Sequence, residues 1–427
     1  VPIVGWYRWQ GRPAAAFHYT RWLPEPVLRE SALNPSSDAD LPAGPLAGLR
    51  VLEFGQIAAG PFCAMLLADL GADVVKVEKP DGGDDMRRWP PLVDGPSGER
   101  YSENFASVNR NKRSLVADLK DAAAVGRLQR LAEVADVIVE NFRPGVLARL
   151  GLGAETLRAR NPRLVYTSVT GYGQTGPAAG RGAFDVTIQA VSGLMSVTGE
   201  PGREAVKAGV PVGDFVAGLY AAYATLAAVM TARATGQGAH VDCAMMGALL
   251  GIAQLQTSEF FGTGRIPQPL GSAHPRNAPY RGFRGSDEPF VIAAGNDRLW
   301  REVCEAVGRP ELAADPRFVT QELRARNQDG LFDLLQPVFA TRPAAHWLAE
   351  FERRGVPFAP INNYEQALAD PQVEHLGLVH SMSLPNGRET RTVGFPVLIG
   401  GFDFRVYRQP PALGAHGAEV MDEWLGA

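Results

Sequence analysis

The sequence predicts an α/β fold, a parallel sheet covered by helices on both faces, on three observations. Short β-rich runs alternate with amphipathic helical stretches from Leu49 onward. The first run leads through a glycine-bounded turn into an apolar helix. The 427 residues, 45% hydrophobic and 21% charged with 47 Gly and 33 Pro, suffice for one large domain and a smaller one. Alternation of this kind belongs to the Rossmann-like class.

Residues 1–40 fit nothing downstream: they hold Trp6, Trp9 and Trp22, scattered Arg, and the polar exit N-P-S-S-D-A-D. They read as an extension outside the main fold, with a cleaved organelle presequence as the alternative. From Leu41 the pattern changes. Leu49–Phe54 reads as a strand, Gly55–Pro61 as a turn, Phe62–Leu70 as a short helix and Ala72–Val77 as a second strand. Strands follow at Ser114–Asp118, Asp136–Glu140 and Arg163–Ser168, with helices over Ala122–Val134 and Val146–Leu150 between them. Gly209–Gly218 then delivers Asp214 to the start of an apolar helix, Phe215–Ala232. Eighteen residues without a charge approach a membrane span, yet the Ala content, Tyr220, Tyr223, Thr225 and Thr231 favour a buried core helix. Ala239–Leu255 reads as a second apolar helix, with Met245 and Met246 as core filler.

Pro267–Gly285 is a Pro/Gly/Arg-rich loop, a linker or a lid. Pro289–Ala294 reads as a strand, with helices after it to about Arg354. The expected organisation is thus a large domain over 41–235, linker helices and loop over 236–285, a small α+β domain over 286–370, and a segment over 371–427 returning to the large domain.

Composition removes several function classes. A net charge of −4 gives no basic field for nucleic acid or an anionic membrane. Cys63, Cys243 and Cys304 form no C-x-x-C and suit a reduced, cytoplasmic setting. Seven His without H-x-x-H or H-E-x-x-H spacing make a metal enzyme unexpected. A nicotinamide site is tempting, since Glu78 ends the second strand near the offset of a ribose-binding acid. The turn, however, reads G-Q-I-A-A-G and lacks the second glycine of G-x-G-x-x-G, and Glu78 lies between Lys76 and Lys79. NAD is rejected.

Asp214 carries the chemistry if any residue does. At a helix N-cap its carboxylate is held as an anion by free N–H groups and the helix dipole, and Gly213 lets a ligand approach the backbone. An ionised, buried carboxylate suits covalent acyl chemistry, while a plain helix cap remains the alternative.

The runs L-A-G-L-R-V-L-E-F-G-Q-I-A-A-G-P, D-L-G-A-D-V-V-K-V-E-K-P, S-V-N-R-N-K-R-S-L, V-E-N-F-R-P-G, T-G-Y-G-Q-T-G-P and F-D-V-T-I-Q-A-V-S-G-L-M-S-V-T-G resemble family III CoA-transferases over roughly Leu41 to Gly426, as does G-V-P-F-A-P-I-N-N-Y-E-Q-A-L-A-D-P-Q-V. The resemblance implies a nucleophilic aspartate at Asp214, acyl-anhydride and aspartyl-CoA thioester intermediates, and an interlocked homodimer. It implies no tightly bound cofactor, the CoA thioester being substrate. It further implies CoA-contacting positions at Lys79, Ala117, Lys120, Asn141, Phe142 and Arg149, with Gln56 and Ala59 near the thioester oxygen. A solvated charge or a turn cap is the plainer reading of each alone.

Departures narrow the branch. Racemases of the family place a histidine where this chain has Phe184, so a two-base proton shuttle lacks one base. Oxalate-type members carry Lys and Tyr at the positions of Gly182 and Phe184, and a glycine run where this chain has G-S-A-H-P-R. Asp185, the rival acid, reads as a cap or structural partner. The chain is most similar to members moving CoA from succinyl-CoA to dicarboxylic acids. A cation is needed for the acceptor's distal carboxylate, with Arg87, Arg88, Arg110 and Arg276 as candidates. A racemase or a non-catalytic CoA-binding protein are the alternatives.

Overall fold

A computed structural model describes residues 44–426; the extension expected over 1–40 lies outside the described residues. Six strands form the main sheet: β1 (Arg50–Glu53), β2 (Asp73–Glu78), β3 (Lys112–Val116), β4 (Val137–Glu140), β5 (Val165–Thr170) and β6 (His240–Ala244). Their order is β3-β2-β1-β4-β5-β6, with every neighbouring pair parallel. Alternation along each strand sends side chains to two separate cores. Val51, Val74, Val137, Val139 and Val165 pack on one face under α1 (Ala59–Asp69), α4 (Val212–Thr235) and α5 (Met245–Ile252). Leu52, Val75, Ile138 and Tyr166 pack on the other under α2 (Ala122–Val134) and α6 (Gly417–Leu425). The remaining helix of this set, α3 (Asp185–Val191), precedes α4 in the chain.

Two expectations need correcting. Ala239–Leu255 is not one helix: His240–Ala244 is the sixth strand, and α5 begins only at Met245. His240–Ala244 lies at the sheet edge and is only partly buried, so its period-2 pattern is weak beside the apolar helix that follows. The loop expected over Pro267–Gly285 contains a strand, Tyr280–Arg284, which pairs antiparallel with Pro289–Ala293. With Phe358–Pro360 these make a three-stranded sheet whose core is aromatic, including Phe283, Phe290, Phe339, Trp347 and Phe351.

Helix α1 is apolar on all sides because it is enclosed. It crosses α4 at Gly218, where a Cβ would stand 2.9 Å from the Ala59 carbonyl oxygen and 2.9 Å from Phe62 Cδ1. Glycine is required there for close approach of the two backbones. Helix α4 is long and apolar enough to cross a membrane by length and composition alone. One side of it lies in the sheet core, and the other exposes Leu219, Tyr223 and Met230.

The strand order reverses between β1 and β4, the switch point at which an open parallel sheet leaves a crevice at its carboxyl ends. The turn after β1 and the loop after β4 meet there.

Candidate active site

The crevice is a cavity of about 300 Å³ lined by the turn Gln56–Ala59, by Asn141–Pro144 after β4, by Val169–Gly171 at the end of β5, and by Ala179, Arg181, Ala183, Phe184, Asp214 and Met245. Gln56, Ala59, Asn141, Phe142, Phe184 and Asp214, expected at a site from sequence, are all brought to this one wall.

The turn is clamped from two sides. Asn141 Oδ1 accepts from the Gln56 N–H at 2.8 Å, and Asn141 Nδ2 donates to the Gln56 carbonyl at 2.9 Å. A Cβ on Gly60 would stand 3.1 Å from Asn141 Cγ, so the glycine admits this amide. Ile57 has φ +65°, a left-handed conformation that a β-branched residue avoids. Its N–H donates to Asp84 at 3.0 Å, and Asp84 is paired with the buried Lys76 at 2.9 Å. Lys76 and Lys112 each lie 2.8 Å from Glu53 at the end of β1. Burial raises the cost of the Asp84 anion, but Lys76 and the N–H groups of Met86 and Ile57 outweigh it and hold the carboxyl below its usual range. This network fixes the strained turn. Helix α1 then starts at Ala59 with no side-chain cap, leaving the Ala59 N–H uncapped beside the cavity.

Asp214 is not an N-cap. Pro211 holds that position and Asp214 is the third residue of α4. The expectation of a firmly ionised carboxylate is corrected with it: burial, and then the Asp185 charge, push the Asp214 carboxyl up to about 7. The helix dipole favours the anion, but partial exclusion of water and a second carboxylate outweigh it. Asp185 is the structural partner anticipated. It opens α3 and accepts from the Gly213 N–H at 2.8 Å and from Gln189 Nε2 at 2.7 Å. A Cβ on Gly213 would approach Asp185 Oδ1 to 3.0 Å, so this position favours the smallest residue.

The other expected positions follow successive strands. Lys79 follows β2 and pairs with Asp85 at 2.7 Å. Ala117 follows β3 and donates its N–H to the Glu78 carbonyl at 2.9 Å, with Lys120 exposed three residues on. Arg149 is exposed, and a Cβ on Gly145 would stand 3.2 Å from its Nη1.

None of the four expected arginines lines this cavity. Arg110 is buried, with Nε 3.1 Å and Nη2 2.7 Å from Asp69 and Nη1 3.0 Å from Thr392 Oγ1. Arg87 is held by Glu78, its Nε and Nη2 donating at 2.8 and 2.7 Å. Arg88 pairs with Asp85 at 2.7 Å and Arg276 with Glu259 at 3.4 Å. The cavity instead carries Arg143 and Arg181, which sequence reasoning passed over. Arg143 stood in plain view inside N-F-R-P-G. Among the described residues, no cluster of His, Cys, Asp and Glu could hold a metal ion. The crevice can therefore offer a carboxylate nucleophile, backbone N–H donors for an oxyanion and cationic side chains.

Comparison with known proteins places the chain in a family. A family described as CoA-transferase family III matches residues 46–417. The succinate–glutarate CoA-transferase of Agrobacterium fabrum is 39% identical over 381 residues, spanning 89% of this chain and 95% of that protein. The human succinyl-CoA:glutarate CoA-transferase is 38% identical, spanning 89% of this chain and 86% of its own. The crystal structure of a CAIB/BAIF family protein from Brucella suis superposes with a TM-score of 0.80 at 38% identity, covering 89% of this chain and 99% of that one.

Proposed function

The chain belongs to CoA-transferase family III, and from that premise we propose that it moves CoA from succinyl-CoA to a dicarboxylic acid such as glutarate, with Asp214 as covalent nucleophile. The observation carrying this reading is the meeting of Asp214 with the clamped turn Gln56–Ala59 and the uncapped start of α1 in one crevice. The ionised Asp214 attacks the thioester carbonyl. The C–S bond breaks, giving a succinyl–aspartyl anhydride and CoA thiolate. The thiolate attacks the aspartyl carbonyl, releasing succinate and leaving an aspartyl-CoA thioester. The acceptor carboxylate attacks that carbonyl, freeing the thiolate again with a new mixed anhydride. Attack of the thiolate on the acceptor's carbonyl forms the product thioester and regenerates Asp214. The backbone N–H groups of Ala58 and Ala59, which line the cavity and are not the ones engaged by Asn141 and Asp84, stabilise the oxyanion at each addition. Thioester exchange is close to thermoneutral, so the sequence of steps needs no energy source.

Lys79, Ala117, Lys120, Asn141, Phe142 and Arg149 follow three neighbouring or near-neighbouring strands on the carboxyl edge, which suits an extended CoA molecule. We assign no tightly bound cofactor, a homodimer as the working form and a cytoplasmic setting. The racemase reading is disfavoured because the exposed Phe184 supplies no second base in the crevice.

The test is incubation with succinyl-CoA and a panel of carboxylic acids, following every CoA ester by mass spectrometry beside Asp214→Ala. A new acyl-CoA made by the wild type and lost in the variant is expected. Scrambling of a 2-methylacyl-CoA stereocentre without transfer would overturn the proposal. CoA binding without turnover of any thioester would leave a binding protein.

A further inference from the structure

We infer that Arg143, seated against the backbone of Gly182, reads the distal carboxylate of the acyl group, and so makes the crevice selective for dicarboxylic over monocarboxylic substrates. The inference rests on the transferase reading above and extends it to the specificity-determining group.

Arg143 and Arg181 are the only cationic side chains among the described residues lining the cavity, and Asp214 is the only acid. Among the described residues neither guanidinium forms a side-chain hydrogen bond or ion pair. That contrasts with Arg87 and Arg110, which are engaged by Glu78 and Asp69. An unpaired guanidinium in a reaction crevice is available to a ligand anion, and its planar fork matches a carboxylate with two parallel hydrogen bonds.

Arg143 is also well positioned. The preceding residue is tied down, the Phe142 N–H donating to Glu140 Oε2 at 2.8 Å. The following pair is Pro144, with φ fixed by its ring, and Gly145 at φ +79°. The side chain rests where a Cβ on residue 182 would be: that atom would stand 2.8 Å from Arg143 Nη2 and 3.4 Å from Cζ. Absence of a side chain at Gly182 is what lets the guanidinium lie there. Phe184, two residues on and 68% exposed, adds an apolar surface to the same cavity for the methylene chain between the two carboxyl carbons. Arg181 lines the same cavity and is exposed, as Arg143 is, but it stands between Gly180 and Gly182 with no neighbour of fixed φ, and it is expected to contribute less.

The experiment measures kcat/KM for succinyl-CoA and for butyryl-CoA, with glutarate as common acceptor. The two donors differ by a terminal carboxylate in place of a methyl group. In a two-stage transfer, kcat/KM for the donor reports only the first half-reaction. Wild type, Arg143→Gln, Arg143→Lys, Arg181→Gln and Gly182→Ala are compared, with thermal melts as the check on folding. The wild type is expected to prefer succinyl-CoA. Arg143→Gln is expected to lower succinyl-CoA turnover by roughly 10- to 100-fold, the loss of a charge-assisted carboxylate contact, and to leave butyryl-CoA nearly unchanged. Arg143→Lys is expected to restore part of the preference. Gly182→Ala should act in the same direction as Arg143→Gln by displacing the guanidinium.

Equal losses for both donors in Arg143→Gln would mean that Arg143 holds the CoA moiety, and would overturn the inference. A larger loss of preference in Arg181→Gln than in Arg143→Gln would overturn it as well. Absence of transfer from either donor in the wild type would instead remove the transferase reading. Equal use of both donors by the wild type would leave transfer standing and remove only this inference.

Discussion

Asp214 has two opposing requirements. Exclusion of water and the Asp185 charge push its carboxyl up to about 7, yet attack on a thioester needs the anion. kcat/KM is therefore expected to rise with pH through the region around 7. Asp185→Asn removes the neighbouring charge and keeps an oxygen for the Gly213 N–H, so the rising limb should move to lower pH. A shift to higher pH would contradict this electrostatic assignment. Folding carries the same group with a definite sign. Between the unfolded carboxyl value, about 4, and the folded value of about 7, the folded protein binds more protons than the unfolded chain. Stability from this group is present at the acid end of that window and is lost as pH rises through it. Asp214→Asn removes the penalty, so its Tm should exceed that of the wild type by more at pH 8 than at pH 5. An equal difference at both pH values would show that the carboxyl is not perturbed.

At the level of elements, the site depends on how α1 and α4 approach each other. Ala59 begins one helix and Asp214 lies in the first turn of the other, and Gly218 sets their separation. Gly218→Val places branched carbon against the Ala59 carbonyl and the Phe62 ring, where the Phe62 and Phe215 rings already meet edge to face at 4.8 Å. Overpacking of this kind is expected to cost about 1–3 kcal/mol in urea unfolding. It should also lower kcat more than it raises KM, because the nucleophile and the oxyanion donors move apart. Unchanged kcat in a folded variant would separate the helix crossing from catalysis. The Ile57 turn obeys a related logic. A left-handed isoleucine persists because Asp84 and Asn141 over-determine the backbone on either side of it.

At the scale of the molecule, large apolar side chains remain uncovered: Leu219, Tyr223 and Met230 on α4, with Phe261 and Leu398 elsewhere on the surface. Leu219, Tyr223 and Met230 recur at helical spacing along one side of α4, the kind of apolar stripe that a partner surface covers. The proposed homodimer predicts a solution mass of twice the chain by sedimentation, and a shift toward the monomer for Tyr223→Asp with Met230→Asp. A wild-type monomer would remove that proposal.

The sequence by itself determined the α/β class, since β-rich runs and helical periodicity are local properties that survive without a structure. It also determined the family and the candidacy of Asp214, through motif runs long enough to be specific. The tertiary structure decided what depends on residues far apart in the chain. His240–Ala244 became a strand because the edge of Val165–Thr170 was there to pair with it. Asp214 lost its firm charge because the fold buries it and then sets Asp185 beside it, and Arg110 left the list of free cations because Asp69 engages it. Arg143 entered that list because nothing among the described residues pairs with it at a crevice assembled from four separate loops. Periodicity reports a residue's own neighbours along the chain, whereas protonation state and availability for a ligand are set by whichever distant groups burial brings within a few ångströms.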